Sequence, residues 1–449
     1  MVLLVPELAF VTGLPDKRRD SRMVKEVMRE LHQSPRQHCQ RLAVLLRRIR
    51  ESPEALQELS RWGLRLEPGI HRTQGRILPS ERISLRHCSF TPSEELIWSK
   101  EVTREASIST IPMSHWLLVY PRKLQDLARD LVITMESMCS PLGMQVSKPI
   151  LVELKDDRIE TYAKSIRSFL NTQDRVQLLL CLISGNREDL YAAIKKLCCL
   201  HAPVPSQVIN ALSLGTQLNK MRAVVHKVLL QINCKLGGEL WGVDIPLVRR
   251  GGRENQPSWL EALSAAGCKF LGVVFQMPHQ EIADSLQLLL LDALQRFHEV
   301  NHLLPQKIVL YRDGVADSQL DTVLKYEIPQ LQKCFGSFHS YQPSMVVMVV
   351  QKKISTKFYT LLGEQVGSPL PGTVVDHTIT SSEWQDFFLL AHHSRQGCSN
   401  PTRYVCLLNT TSLSWENLQR LTFKLCHLYW NWPGTIRVPA LCKYAHKLA

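Results

Sequence analysis

The segment "VQLLLCLIS" (176–184) runs through Gly185 and Asn186 into "REDLYAAIKKLCC" (187–199). Its first part is a short apolar run bounded by a turn signal, which is typical of a buried strand. Its second part carries apolar residues at helical spacing. The same order recurs nearby, in "HWLLVYP" before "LQDLARDLVITMESMCS" and in "SQVIN" before "NKMRAVVHKVLLQI". Strands that alternate with helices in this way predict a parallel sheet covered by helices.

Charge content and the predicted secondary-structure pattern divide the chain into three regions. Residues 1–112 are charge-rich and mainly helical in pattern, with Ser34 before Pro35 as a helix start signal. Residues 113–240 carry the alternating pattern. Residues 241–449 hold a second α/β pattern, with strands in "KFLGVVFQM", "KIVLYRD", "SMVVMVVQKK" and "TRYVCLLN" and a helix through "ENLQRLTFKLCHLYW". The sequence therefore predicts an α/β protein of two α/β domains behind a mainly helical region.

Composition narrows the class of partner. The chain has 449 residues, a formal net charge of +13 and a pI of about 9.2, which favours an anionic partner such as nucleic acid. Its apolar runs are far shorter than the roughly 20 residues of a spanning helix, so no membrane segment is expected. The start lacks a basic stretch before its apolar run, so no signal peptide is expected. Thirteen cysteines without a C-x-x-C pair indicate reduced thiols in the cytosol or nucleus.

One group of polar residues lies in the middle region. Tyr191 and Lys195 are four residues apart and share one helix face, and we expect the N–H groups at the start of that helix to help hold an anion. Gln207 follows in "SQVIN", and Gln231 and Lys235 are again four apart. By spacing alone, an ordinary solvated helix face explains these residues better than an anion site does.

A second group begins at Asp313, which ends the strand "KIVLYRD" and precedes Gly314. A carboxylate at the carboxyl end of a buried strand lies where α/β sheets place their chemistry, although Asp-Gly is also a common turn. Glu281 opens a helix upstream, where it also suits the helix dipole. The apolar face predicted for this helix consists of Ile282, Leu286, Leu289, Ala293 and Phe297.

Several longer motifs carry a family resemblance. They are "DLYAAIKKLCC", "PVPSQVIN", "LLQINCKLGGELWGVDIP", "VVFQMPHQEI", "VLYRDGV" and "KYAHKLA". In these the chain resembles the Piwi branch of the Argonaute family, and within it the vertebrate Piwi-like proteins. The resemblance implies a linker region that follows a PAZ domain, a Rossmann-like MID domain and an RNase H-like PIWI domain.

The same resemblance implies a function. Its members bind piRNAs, which are single-stranded guides with a 5′-monophosphate, and silence transposons in the germline by pairing with target RNA. We therefore expect a cytoplasmic protein of germ granules that meets guide and target RNA, and Tudor-domain proteins as further partners. Neither DNA nor a membrane is expected.

The resemblance assigns the 5′-phosphate-binding pocket to Tyr191, Lys195, Gln207 and Lys235. The tyrosine would stack on the first base and the lysines would neutralise the phosphate. Gln231 matches the position that helps to hold a divalent cation against the phosphate. In the family this pocket also receives the carboxylate of the chain's C-terminus, and because the sequence stops at Ala449 we expect cation binding at Gln231 to be weak.

The resemblance also assigns the slicer site, in which Asp, Glu, Asp and His hold two Mg²⁺ ions. Glu281, Asp313 and His446 match three of these positions, although His446 could equally be a bonded structural histidine. The first Asp is missing, because residues 248–268 replace the motif that carries it. We therefore expect an incomplete PIWI domain that binds guides without cutting targets.

Two alternatives remain open from the sequence. The chain could still be an active guided endoribonuclease, or it could be a protein-interaction fragment that binds no RNA.

Overall fold

The computed structural model describes residues 26–28, 33–173, 175–215, 217–244, 286–363, 365–394 and 397–448. The helices are α1 (Pro35–Glu51), α2 (Pro53–Arg61), α3 (Glu101–Arg104), α4 (Gln125–Cys139), α5 (Ile159–Thr172), α6 (Glu188–Lys196), α7 (Ala211–Leu214), α8 (Leu218–Leu236), α9 (Leu286–Asn301), α10 (Leu320–Thr322), α11 (Ile328–Lys333), α12 (Trp415–Leu425) and α13 (Ala440–Leu448). The strands are β1 (Arg76–Ile77), β2 (Ile83–Ser84), β3 (Ser89–Phe90), β4 (Trp116–Pro121), β5 (Ile150–Leu154), β6 (Leu178–Ile183), β7 (Ser206–Asn210), β8 (Gly242–Val243), β9 (Lys307–Asp313), β10 (Ser344–Gln351), β11 (Thr360–Leu362), β12 (Gln365–Gly367), β13 (Thr373–Val375), β14 (Gln385–Leu390) and β15 (Thr402–Asn409). Two π-helical turns, Leu197–His201 and Val323–Glu327, continue α6 and α10.

The first α/β unit is built on a four-stranded sheet. Its strands lie in the order β5-β4-β6-β7, and every neighbouring pair is parallel. Both β4 and β6 are buried along their whole length. One face of these strands packs with α4 and α8, and the opposite face packs with α5 and α6. The predicted parallel sheet covered by helices is therefore confirmed.

The second α/β unit is built on a mixed six-stranded sheet of order β1-β13-β14-β15-β10-β9. Strands β9 and β10 are parallel, and the other pairs are antiparallel. On one face, β10 packs with α9 and the helical segment from Leu320 to Ser337. On the other face it packs with α12 and α13. Apolar residues that alternate along β10, such as Val346 and Val347, thus enter two different cores.

The N-terminal region contacts both units. Its described residues are helical over Pro35–Glu51 and Pro53–Arg61, as predicted, but from there to residue 112 the chain is mostly irregular, with three two-residue strands and the single turn of α3. Strand β1 joins the edge of the six-stranded sheet, where Arg76 lies opposite Val374. Strand β2 pairs with β8, where Ile83 lies opposite Val243. Short pairings at two places therefore hold this region against the rest of the chain.

Three tryptophans close the junction between the units. The Trp241 indole N–H donates to the carbonyl oxygen of His427 at 2.8 Å, and the Trp430 indole N–H donates to the Trp241 carbonyl oxygen at 3.0 Å. The Trp98 ring meets the Trp241 ring edge-on and stacks on His427. Burial lowers the pKa of His427 to about 4, so this ring is neutral at physiological pH.

Some predictions lie outside the described residues. These are the strand predicted at 269–277, the replaced segment 248–268 and Glu281. In the described part of the following helix, α9, the predicted apolar face is confirmed only in part, because Leu286 packs into the core as predicted but the other core residues differ from those predicted. The residues that pack into the core are Leu286, Leu290 and Leu294, whereas Ala293 is exposed. Within the described ranges, no helix is both long and apolar enough to cross a membrane.

Candidate functional site

Two lysines from different helices converge on the first residue of β7. The Lys195 ammonium, from the last turn of α6, donates to the Ser206 carbonyl oxygen at 2.8 Å and to Ser206 Oγ at 2.9 Å. The Lys235 ammonium, from the last turn of α8, donates to the same carbonyl oxygen at 2.7 Å. Gly237 ends α8 two residues later, in the left-handed conformation that glycine adopts without strain. Two positive charges therefore share one neutral acceptor.

The two glutamines extend this cluster. Lys235 Nζ donates to Gln207 Oε1 at 2.5 Å, and Gln207 Nε2 donates to Gln231 Oε1 at 3.2 Å. The Tyr191 ring lies one helical turn before Lys195, whose ammonium is 5.8 Å from the ring centroid. Tyr191 is 48% exposed, so its side chain is partly accessible to solvent. We call Tyr191, Lys195, Ser206, Gln207, Gln231 and Lys235 the lysine pocket.

The electrostatics of the lysine pocket favour an anion. Burial of the Lys235 ammonium, helped by the nearby charges of Lys195 and Lys447, lowers the pKa of Lys235 to about 7. Much of the Lys235 side chain is open to solvent. The lowered pKa therefore reflects the surroundings of its ammonium end, which is hydrogen-bonded to Ser206 and Gln207. Burial also lowers the pKa of Lys195. In the part of the chain that the structure describes, neither lysine forms a salt bridge with a carboxylate, so the positive charge of this pocket is uncompensated.

The start of α6 is acidic. Its first turn carries Glu188 and Asp189, and the Asp189 carboxylate pairs with Arg187 at 2.7 Å. Lys195 lies at the other end of the helix. Acidic side chains already complement the positive end of the helix dipole there, and the role of these N–H groups in holding an anion stays a prediction. The cations of the pocket come instead from the last turns of two helices.

Asp313 ends β9 at the edge of the second sheet. Its Oδ2 atom lies 2.5 Å from the Lys352 ammonium, which follows the parallel neighbour β10. Its Oδ1 atom is buried and accepts no hydrogen bond within the described ranges. Gly314 then turns the chain with a φ of +82°. The carboxylate thus already has a cation beside one oxygen, and its other oxygen is buried.

The other metal positions are only partly placed. Burial, and next the Asp313 charge, raise the pKa of Cys442 to about 12, so α13 passes close to Asp313. His446 lies one turn beyond Cys442 on that helix and is exposed. Glu281 lies outside the described residues.

The described residues do not fit a resident pair of metal ions. Across them, no group of three or more His, Cys, Asp or Glu side chains is arranged to hold a metal ion. The positive charge of Lys352 beside Asp313 would also repel a metal cation. Gln231 offers one oxygen, which already accepts the hydrogen bond from Gln207. The Mg²⁺ expected at Asp313, His446 and Gln231 therefore gains no support from these side chains.

Sequence reasoning did not identify Ser206 or Lys352 as members of these clusters. Ser206 accepts from both lysines through its backbone carbonyl oxygen, which side-chain patterns do not reveal. Lys352 had a usable signal, because the carboxyl ends of parallel strands meet at one edge of a sheet and "VVQKK" ends the strand beside "LYRD".

The fold and the lysine pocket define a class, namely two-unit α/β proteins in which two lysines converge at the start of a strand of the first sheet. The family model described as the Piwi domain matches residues 178–449, which is more than half of the chain and contains both the pocket and Asp313. The chain therefore belongs to the Piwi family.

Individual relatives agree with this assignment. Piwi-like protein Ago3 of Bombyx mori is 38% identical over 468 residues, which cover 100% of this chain and 50% of the relative. The crystal structure of Drosophila Piwi matches with a TM-score of 0.80 and 26% identity, covering 96% of this chain and 61% of that one. Kluyveromyces polysporus Argonaute, solved with a guide RNA, shares the fold with a TM-score of 0.68 and 20% identity, covering 83% of this chain and 49% of that one. The chain spans about half the length of the curated relatives it matches.

Proposed function

We propose that this chain binds the 5′-phosphorylated end of a single-stranded guide RNA in the lysine pocket. The observation that carries the proposal is the pair of ammonium groups on one carbonyl oxygen, without a carboxylate partner in the described structure. A phosphate monoester carries about −1.5 to −2 charges near pH 7 and would supply the missing negative charge. The partly exposed side chain of Tyr191 suits stacking by the first base, which is how proteins read single-stranded RNA.

The finer proposal names the guide and its purpose. The guide would be a piRNA, and pairing with target RNA would direct silencing of transposons in the cytoplasm of germline cells. Membership of the Piwi family and the net charge of +13 support this proposal. Tudor-domain proteins would be further partners on the same grounds of family resemblance.

The test compares two RNAs of identical sequence that differ only in a 5′-phosphate or a 5′-hydroxyl, at one fixed salt concentration. We expect the protein to prefer the phosphorylated RNA. Lys195→Ala combined with Lys235→Ala should remove most of that preference, with an affinity loss of about tenfold to hundredfold for the phosphorylated RNA, because charge-assisted hydrogen bonds are lost.

The matched control is Lys196→Ala combined with Lys220→Ala. It removes two exposed lysines from the same two helices and makes the same change in net charge. The control should keep the preference for phosphate. Equal binding of both RNAs by the unaltered protein would overturn the proposal and favour a fragment that recognises no guide end.

We further propose that binding occurs without cleavage of the target. The contact that supports this is the Lys352 ammonium beside Asp313, which competes with any cation for the same oxygen. Incubation with a guide, a complementary target and Mg²⁺ or Mn²⁺ should leave the target intact. Cutting that disappears in Asp313→Ala would instead establish a guided endoribonuclease.

A further inference from the structure

Helices α1 and α2 form a hairpin on the surface of the molecule. Neither helix contains a fully buried residue. The two are joined at Ser52, whose side-chain oxygen accepts a hydrogen bond from the Ala55 N–H at 3.3 Å. Near its start, α1 is held by the Tyr359 hydroxyl, which lies 2.5 Å from Nδ1 of His38. Beyond Leu42, most residues of α1 are exposed to solvent.

The exposed part of α1 is rich in apolar residues. It contains the run "LAVLL" at residues 42–46. Five consecutive positions point all the way around an α-helix, so these side chains cannot all face one core. Ala43, Val44 and Leu45 are exposed, and Leu45 is 52% exposed. A run of exposed apolar residues is unfavourable on a free helix surface and is typical of a surface that binds another molecule.

A cleft of about 410 Å³ separates α1 from the segment at residues 68–70. This is a size at which proteins bind small ligands or single side chains of a partner. On the side of α1, Ala43, Leu46 and Arg50 recur at helical spacing, so they belong to one face. On the other side, Ile70 is 46% exposed, so the apolar part of the lining is accessible. We call this cleft the α1 cleft.

The α1 cleft also carries an excess of positive charge. Arg47 and Arg50 both line it. Arg47 Nε is 3.9 Å from the Glu51 carboxylate, and both side chains are largely exposed, so this ion pair is weak. Arg50 has no salt bridge to any residue that the structure describes. Because α1 as a whole contains five arginines and one glutamate, an anionic occupant suits the cleft.

We propose that the α1 cleft binds an acidic segment of a protein partner. An apolar side chain of that segment would insert between α1 and residues 68–70, and its carboxylates would lie beside Arg47 and Arg50. The buried apolar side chain would supply most of the affinity, and the complementary charge would supply orientation and speed of association. The α1 cleft shares no residue with the lysine pocket, so this inference is independent of the proposed binding of RNA.

Two other occupants fit the α1 cleft less well. Single-stranded RNA is bound by pairing basic side chains with aromatic rings on which bases stack, and none of the described residues that line the cleft is aromatic. A second copy of this chain in a symmetric dimer would place the same surface against itself. The arginines of α1 would then face one another and repel. A partner of opposite charge avoids both difficulties.

The experiment measures binding of the full chain to a short fluorescein-labelled peptide by fluorescence polarisation. In the test peptide, aspartates and glutamates flank a central Leu-Phe pair. One control peptide carries lysines in place of the acids, and another carries Ala-Ala in place of Leu-Phe. We expect the test peptide to bind with a dissociation constant of about 10 μM, which is typical of a small interface, and each control peptide to bind at least about tenfold more weakly.

Two variants of the protein test the place of binding. A side chain added at Gly69 meets no atom within 4 Å, so Gly69→Phe should fill the α1 cleft without disturbing the fold. It should weaken binding of the test peptide by at least about tenfold, because the apolar side chain can no longer enter. Arg50→Glu should weaken binding by about tenfold through charge reversal. Arg36→Glu is the matched control, since it makes the same charge change on an exposed residue of α1 outside the cleft, and should keep most of the affinity.

The remaining outcomes contradict the proposal. Equal binding of the three peptides, or equal binding by the unaltered protein and Gly69→Phe, would show that the α1 cleft does not hold the acidic segment. If Gly69→Phe and Arg50→Glu weaken binding of a 5′-hydroxyl RNA but not of the peptide, the cleft belongs to an RNA-binding surface. Dimerisation that Gly69→Phe abolishes would identify a second copy as the occupant. A melting temperature for each variant shows whether a change in affinity reflects loss of the fold.

Discussion

Lys235 lies in the last turn of α8 with its ammonium hydrogen-bonded to Ser206 and Gln207, in a setting that makes its charge depend on pH near neutrality. Its pKa is about 7 in the folded chain against an ordinary value of 10.5. Between these values the unfolded chain binds more protons than the folded one. The stability penalty is therefore fully present below pH 7 and is lost as the pH rises towards 10.5.

The resulting prediction concerns the free energy of unfolding of the protein without RNA. It should rise with pH between about 7 and 9.5 more steeply than in Lys235→Met, which has no titrating group at this position. Urea unfolding curves at several pH values test this. Parallel pH profiles of the two proteins would show that Lys235 keeps its ordinary pKa.

At the scale of residues, side chains with a repeated spacing could be found from the sequence. Tyr191 and Lys195, and Gln231 and Lys235, were found as pairs four apart, and the structure brings both pairs to Ser206 and Gln207. The spacing gave no access to backbone acceptors. The family resemblance did not identify Lys352, because Lys352 comes close to Asp313 only through the pairing of β9 with β10.

Among the elements, α12 is tied to the N-terminal region by a buried ion pair. The Lys424 ammonium is hydrogen-bonded to the Glu81 carboxylate, and the two residues are only 3% and 4% exposed. Lys424 also donates to the Asp244 carbonyl oxygen at 2.5 Å, and Arg420 approaches Glu81 at 3.3 Å. One carboxylate therefore balances a buried ammonium that holds three segments together.

Glu81→Gln should lower the free energy of unfolding by about 3–5 kcal/mol, because it leaves Lys424 charged and buried without its partner. Glu94→Gln is the matched control at an exposed position in the same region, and should change stability by less than about 0.5 kcal/mol. Chemical denaturation of both variants measures the difference. Equal stabilities would mean that Lys424 finds compensation elsewhere.

Elements show which sequence signals are dependable. The apolar run in β6 predicted a buried strand correctly. Because almost every residue of this run is apolar, there was no need to decide which face of the strand packs into the core. Helix α9 is apolar around much of its circumference, with leucines at 286, 288, 289, 290 and 291, so spacing alone could not choose the face that packs. The packing of Leu290 and Leu294 against the six-stranded sheet decided it.

At the scale of the whole molecule, the tryptophan junction joins the two α/β units. Trp241 is fully buried and both donates and accepts a hydrogen bond across the junction. Its partner His427 is 186 residues away in the sequence, and periodicity in the sequence predicts only contacts within one element. The class of each unit could therefore be predicted from the sequence, whereas their contact could not.

Trp241→Ala should destabilise both units, by about 3–5 kcal/mol, through the cavity that it leaves at their junction. Amide hydrogen exchange should become faster in β6 and in β15, which belong to different sheets. Trp62→Ala removes a tryptophan that is 78% exposed and should change neither. Faster exchange in one sheet alone would show that the units unfold independently.

The π-helical turn after α6 has a consequence for how this molecule tolerates change. The Ala202 N–H bonds the Leu197 carbonyl, so this turn holds one residue more than an α-helical turn would. It lies between Lys195 and Ser206, which are eleven positions apart and are hydrogen-bonded to each other. Loss of a single residue here would return the helix to its regular phase and swing Lys195 away from its acceptor. Among related chains, we expect the length of this span to be held constant.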